Sequence, residues 1–126
     1  MSTEETHVRQ LTAIAEILLG VAYADRRFEA AEYDVIRAIL TTFSHLDELP
    51  KSVVDAISSF DPEAFDVSAA IDKLEVVEDN RVALLRMILR VADADRVRDP
   101  EEQHYFHVVA RTIGVGRSQT ELLLNE

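Results

Sequence analysis

Two short acidic segments hold the side chains with the most chemistry to offer. Residues 18–32 read LLGVAYADRRFEAAE, and residues 88–102 read ILRVADADRVRDPEE. At an offset of 70 positions, Val21, Ala22, Ala24, Asp25, Arg26 and Glu32 match Val91, Ala92, Ala94, Asp95, Arg96 and Glu102, and Glu29 faces Asp99. Carboxylates at this spacing support two kinds of chemistry. As caps and first-turn residues they meet the unsatisfied N–H groups and the positive dipole end of a helix. Asp99-Pro100-Glu101-Glu102 has that form, with Asp as cap, Pro in the first turn and Glu at the third position. Drawn to one point by a folded-back elbow, the same acids are oxygen donors for a hard cation. Neither segment is an EF-hand loop, which needs Gly at its sixth position and Glu at its twelfth. Counted from Asp25 these are Ala30 and Ile36, and counted from Asp95 the twelfth is Phe106.

His104 and His107 stand three apart on a predicted helix. That spacing is workable for zinc or nickel, and the plainer reading is a pair of surface or half-buried histidines. His45, close to Asp47 and Glu48, reads as a solvated loop residue. The chain carries no G-x-S-x-G, phosphate-binding Gly-rich loop or H-E-x-x-H, and each of those motifs has a defined catalytic mechanism. Among 24 acidic residues no glycosidase-type dyad stands out. The expectation is a protein that is not an enzyme.

Helices must position these residues. Three glycines and three prolines in 126 residues leave little room for turns, and few β-branched runs alternate with period two. Ser2-x-x-Glu5 reads as a capping box that opens a first helix. Its apolar face is Val8, Leu11, Ile14, Ala15, Leu18, Leu19 and Ala22. A second helix carries Tyr33, Ile36, Ile39, Leu40 and Phe43. Residues 44–50 form a loop, with Pro50 as the first residue of a short helix bearing Val53, Val54 and Ile57. Asp61-Pro62 opens a turn, and Asp66 caps a helix with Ala70, Ile71 and Leu74. Asp79 or Asn80 caps a longer helix with Val82, Leu85, Ile88, Leu89 and Ala92. Asp99-Pro100 opens the next, with Phe106, Val109, Ala110 and Ile113, stopped by Gly114. Ser118-x-x-Glu121 caps a last helix ending in Leu122, Leu123 and Leu124. Phe28 and Val97, inside the polar elbows, are expected to plug the core. The architecture predicted is all-α: one compact domain over residues 1–126, about seven short helices, and two pseudo-symmetric helix–elbow–helix units. No third copy of the repeat is present, which argues against a solenoid.

Charge bounds the partners. The formal net charge is −11, from 24 acidic and 13 basic residues. Such a chain is repelled by nucleic-acid backbones and anionic membrane surfaces. It suits a cation or a basic protein; no particular protein partner or oligomeric state is readable. The basic residues comprise 11 Arg and two Lys, and Cys is absent, which removes disulfides and thiolate zinc sites. No signal peptide or apolar run of membrane-spanning length is read, so a soluble cytoplasmic protein is expected.

The doubled A-x-A-D, followed seven positions after the Asp by a Glu, resembles the tellurite-resistance TerB family and TerB-like domains. The resemblance spans both units and, through their spacing, nearly the whole chain. It implies an all-helical bacterial module that binds divalent cations (calcium, magnesium or zinc) in stress responses. It also implies a ligand set of Asp25, Glu29 and Glu32 with Asp95, Asp99 and Glu102. The family usually has Gly directly after the Asp, where this chain has Arg26 and Arg96. The alternative is an interaction domain whose acids only cap helices.

Overall fold

The computed structural model describes residues 3–24, 30–44, 48–74, 78–93 and 100–125. They form seven helices: α1 (Thr3–Ala22), α2 (Ala30–Ser44), α3 (Lys51–Ser58), α4 (Val67–Leu74), α5 (Glu78–Ala92), α6 (Pro100–Ile113) and α7 (Arg117–Leu124). No strand occurs among the described residues. None of these helices is long and apolar enough to cross a membrane.

The 20-residue α1 is the axis of the fold. From Leu11 to Ala22 it is buried at every position except Thr12, Glu16 and Gly20. A helix apolar on nearly all sides needs neighbours on all sides, and α1 touches α2, α3, α4, α5 and α6.

The repeat is visible in the structure. α1 and α5 end 70 positions apart, at Ala22 and Ala92, and α2 and α6 begin 70 apart, at Ala30 and Pro100. The exits match: the N–H of Tyr23 donates to Leu19 O, and that of Asp93 to Leu89 O, both at 2.9 Å. The buried positions match as well, pairing Leu18 with Ile88, Val21 with Val91, Ala22 with Ala92, Ile36 with Phe106 and Ile39 with Val109. Packing follows a twofold exchange of the units. α1 meets α2 as α5 meets α6, α2 meets α5 as α6 meets α1, and α1 crosses α5 between them.

Several predicted boundaries hold, and others move. Asp66 caps α4: its Oδ1 accepts the N–H of Ser68 at 3.0 Å and of Ala69 at 3.3 Å. Asp66→Ala is therefore expected to cost about 1 kcal/mol, read as a shift in the urea midpoint at unchanged slope. Asp61 closes the turn at Pro62, its Oδ1 accepting the N–H of Glu63. Gly114, at φ +84°, ends α6. The N–H of Val115 reaches back to Ala110 O and that of Gly114 to Arg111 O, the paired pattern of a left-handed helix stop.

Pro50 lies one residue outside α3, as its cap. α5 has begun by Glu78, so Asp79 and Asn80 lie within the helix, past the cap position. α7 starts at Arg117 behind Gly116, which puts Ser118 inside the helix instead of at its cap. Of the three terminal leucines only Leu123 is buried, and Leu122 is 71% exposed. Ser2, Phe28, Val97 and Ala94 lie outside the described residues.

Candidate cation site

Of the six acids the resemblance implies, the structure describes Glu32 and Glu102; Asp25, Glu29, Asp95 and Asp99 lie outside the described residues. Glu32 is the third residue of α2 and Glu102 the third of α6. Each therefore faces the positive end of its own helix. Both are 1% exposed. Glutamate is almost never buried to that degree unless it is paired, and neither residue is isolated in the structure. A second buried carboxylate at the matching position of the second unit makes this a property of the repeat.

The chain just after α1 and the start of α6 share a cavity. Ala24, the residue before Asp25, and Pro100, the residue after Asp99, line one cavity of about 410 Å³ together with Glu101, His104 and Tyr105. Ala22 and Ala92, the last residues of α1 and α5, are both buried, and α1 and α5 pack against each other. Among the described residues, no three His, Asp or Glu side chains are grouped as metal ligands.

Tyr105 ties the second unit to the first. Its hydroxyl donates to Ile17 O in α1 at 2.7 Å. Burial pushes the phenol's ionisation far above the ordinary tyrosine range, so it stays a neutral donor. The ring passes over Gly20. A Cβ there would overlap the Tyr105 hydroxyl, lie 2.7 Å from its Cζ and 3.0 Å from a Phe65 ring carbon. Sequence reading passed over this contact. The signal was a lone glycine inside an apolar helix, which commonly marks a close approach. Beside it, Tyr23, Phe60 and Phe65 form a row with ring centroids 5.6 and 5.2 Å apart, packing the end of α1 against the segment between α3 and α4. His104 is exposed and His107 half-buried, and neither joins Glu32 or Glu102 in a metal-ligating group among the described residues.

The described residues thus form an all-helical module with a repeated helix pair and a buried glutamate at the third position of both α2 and α6. The chain belongs to the TerB family: the family model described as tellurite resistance protein TerB matches residues 10–125. No curated protein and no solved structure gives a significant match.

Proposed function

We propose that this chain is a non-enzymatic TerB module that binds divalent cations at its two acidic elbows and acts through protein contacts in stress or tellurite-type resistance. The observation that carries this reading is the burial of Glu32 and Glu102 at equivalent positions. Taking a carboxylate out of water is costly unless opposite charge or hydrogen bonds offset it. A first-turn glutamate at the surface already gains about 0.3–1 kcal/mol from the helix dipole without that cost. A donor set made of carboxylates suits calcium or magnesium better than zinc, which favours His and Cys ligands. Arg26 and Arg96 place positive charge next in sequence to Asp25 and Asp95, so affinity on the order of 10⁻⁴ M or weaker is expected.

The competing reading, in which the acids only cap helices, draws on the register of Glu32 and Glu102 at the third helical position. Thermal melting separates the two. A cation that binds only the folded chain raises the melting temperature. Millimolar calcium or magnesium should therefore raise Tm relative to chelator. Coincident curves in chelator and in calcium, magnesium or zinc leave the capping reading.

A further inference from the structure

Two of the chain's 13 Lys and Arg, Arg111 and Arg117, line one cleft together with two histidines. The turn Gly114–Gly116 joins α6 to α7, and a cavity of about 540 Å³ opens beside it. Its wall includes His104, His107 and Arg111 from α6, and Gly116, Arg117 and Thr120 from the start of α7. His104, His107 and Arg111 follow one another by three and four positions, which places them on one face of the helix. A fifth basic group stands close by: a Cβ on Gly114 would lie 3.7 Å from Nη1 of Arg81 in α5. No carboxylate belongs to the cavity wall. In a chain with 24 acidic and 13 basic residues, a wall that holds two arginines and no acid runs against the average surface.

The groups available are donors. Arg111 is exposed and makes no ion pair among the described residues. Arg117 donates from Nε to Glu121 at 3.3 Å, a surface pair with the arginine side chain 88% exposed; such a pair is readily exchanged for a stronger acceptor. Gly116 supplies no side-chain cap for α7, so the first N–H groups of that helix keep their donor capacity. The Thr120 hydroxyl is committed to Arg117 O at 2.7 Å. The His104–His107 pair would suit a metal ion by spacing, but flanking guanidinium charge disfavours a dication and favours an anion.

We propose that the α6–α7 cleft binds a small oxyanion of the phosphate class, as free phosphate or as a phosphomonoester. Arg111 and the histidines grip one side of the anion, and Arg117 and the start of α7 the other. Guanidinium groups match phosphate geometry with paired N–H donors. The cavity lies in the size range of small-molecule sites, so it has room for the group that carries the phosphate. His104 also lines the cavity beside Ala24 and Pro100, but Arg111, Arg117 and His107 do not, and the grip on the anion does not depend on a cation at the elbow acids.

Amide NMR shifts of the full chain test this, titrated with sodium phosphate and with glycerol 3-phosphate at constant ionic strength, against sodium chloride. Saturable shifts are expected at Gly114, Val115, Gly116 and Arg117, with Kd on the order of 1 mM. Tighter binding of glycerol 3-phosphate identifies the monoester as the ligand form; equal binding identifies the phosphate group alone. Arg111→Gln, at an exposed position, should weaken either ligand about fivefold by removing one charge-assisted contact. Glu102→Gln should leave the titration unchanged. Shifts that chloride reproduces, that fail to saturate, or that persist undiminished in Arg111→Gln overturn the proposal.

Discussion

Gly20→Ala is expected to destabilise the protein by about 1–3 kcal/mol, the usual cost of forcing extra volume into a packed site. The sign is the informative part. In an exposed helix interior the same change stabilises by about 1 kcal/mol, because alanine is the better helix former. Here the added methyl meets the Tyr105 hydroxyl and Cζ. The ring cannot move away freely, since its hydroxyl is bonded to Ile17 O and Phe65 closes the other side. Relief requires breaking that hydrogen bond or parting α6 from α1. A fall in Tm of several degrees is the expected reading for a chain of this size. Tyr105→Leu should rescue part of the loss, so the double variant should lose less than the sum of the singles. A Gly20→Ala protein that melts above the parent would remove the close approach from the account.

The same contact shows where the twofold relation ends. Gly20 corresponds to Arg90, which is exposed, and Tyr105 corresponds to Val35, which is half-buried. Only one of the two cross-unit contacts carries a tyrosine, itself half-buried. Phe43 and Ile113 differ likewise, at 37% and 7% exposure. The shared frame therefore comes from the repeated Val–Ala–x–Ala–Asp pattern, while the substituted positions give α6 a side-chain hydrogen bond to α1 that Val35, with no hydroxyl, cannot make from α2.

What could be read from the sequence follows from this division. Helices with apolar residues three and four apart were legible, because burial of one face dictates the pattern. The repeat was legible because both units must solve the same crossing with small residues. Capping was legible where a side chain does it, as at Asp66, and illegible where a glycine precedes the helix, as at Gly116. A run of three leucines could not show that only Leu123 points inward, since the face depends on where α7 starts. The burial of Glu32 and Glu102 was hidden for a deeper reason. A first-turn glutamate has the same sequence signature whether solvent or another helix covers it. Likewise, the convergence of His104, His107, Arg111 and Arg117 depends on the angle of the α6–α7 turn, which the Gly114-x-Gly116 spacing permits without fixing.

The elbow glutamates carry the other large effect, and its dependence on cation concentration distinguishes two roles. Glutamine keeps the shape of glutamate and removes its charge. If Glu32 and Glu102 serve only the helix dipoles, each Glu→Gln change costs up to about 2 kcal/mol, the same in chelator and in calcium. If they help to hold a cation, the two conditions diverge. In chelator, the substitution takes away a buried negative charge and relieves repulsion among neighbouring acids, so stability changes little or rises. With cation present, the parent gains RT ln(1 + [L]/Kd), about 2.7 kcal/mol at a concentration 100 times Kd. Each variant should forfeit part of that gain, and the double Glu32→Gln/Glu102→Gln variant most of it. Because the two residues occupy equivalent positions with equal burial, their single losses should be similar in size. Melting in chelator and in calcium at several concentrations measures all of these quantities on one set of proteins. A double variant that keeps the parent's full calcium gain would place the cation elsewhere and return both glutamates to the role of buried caps.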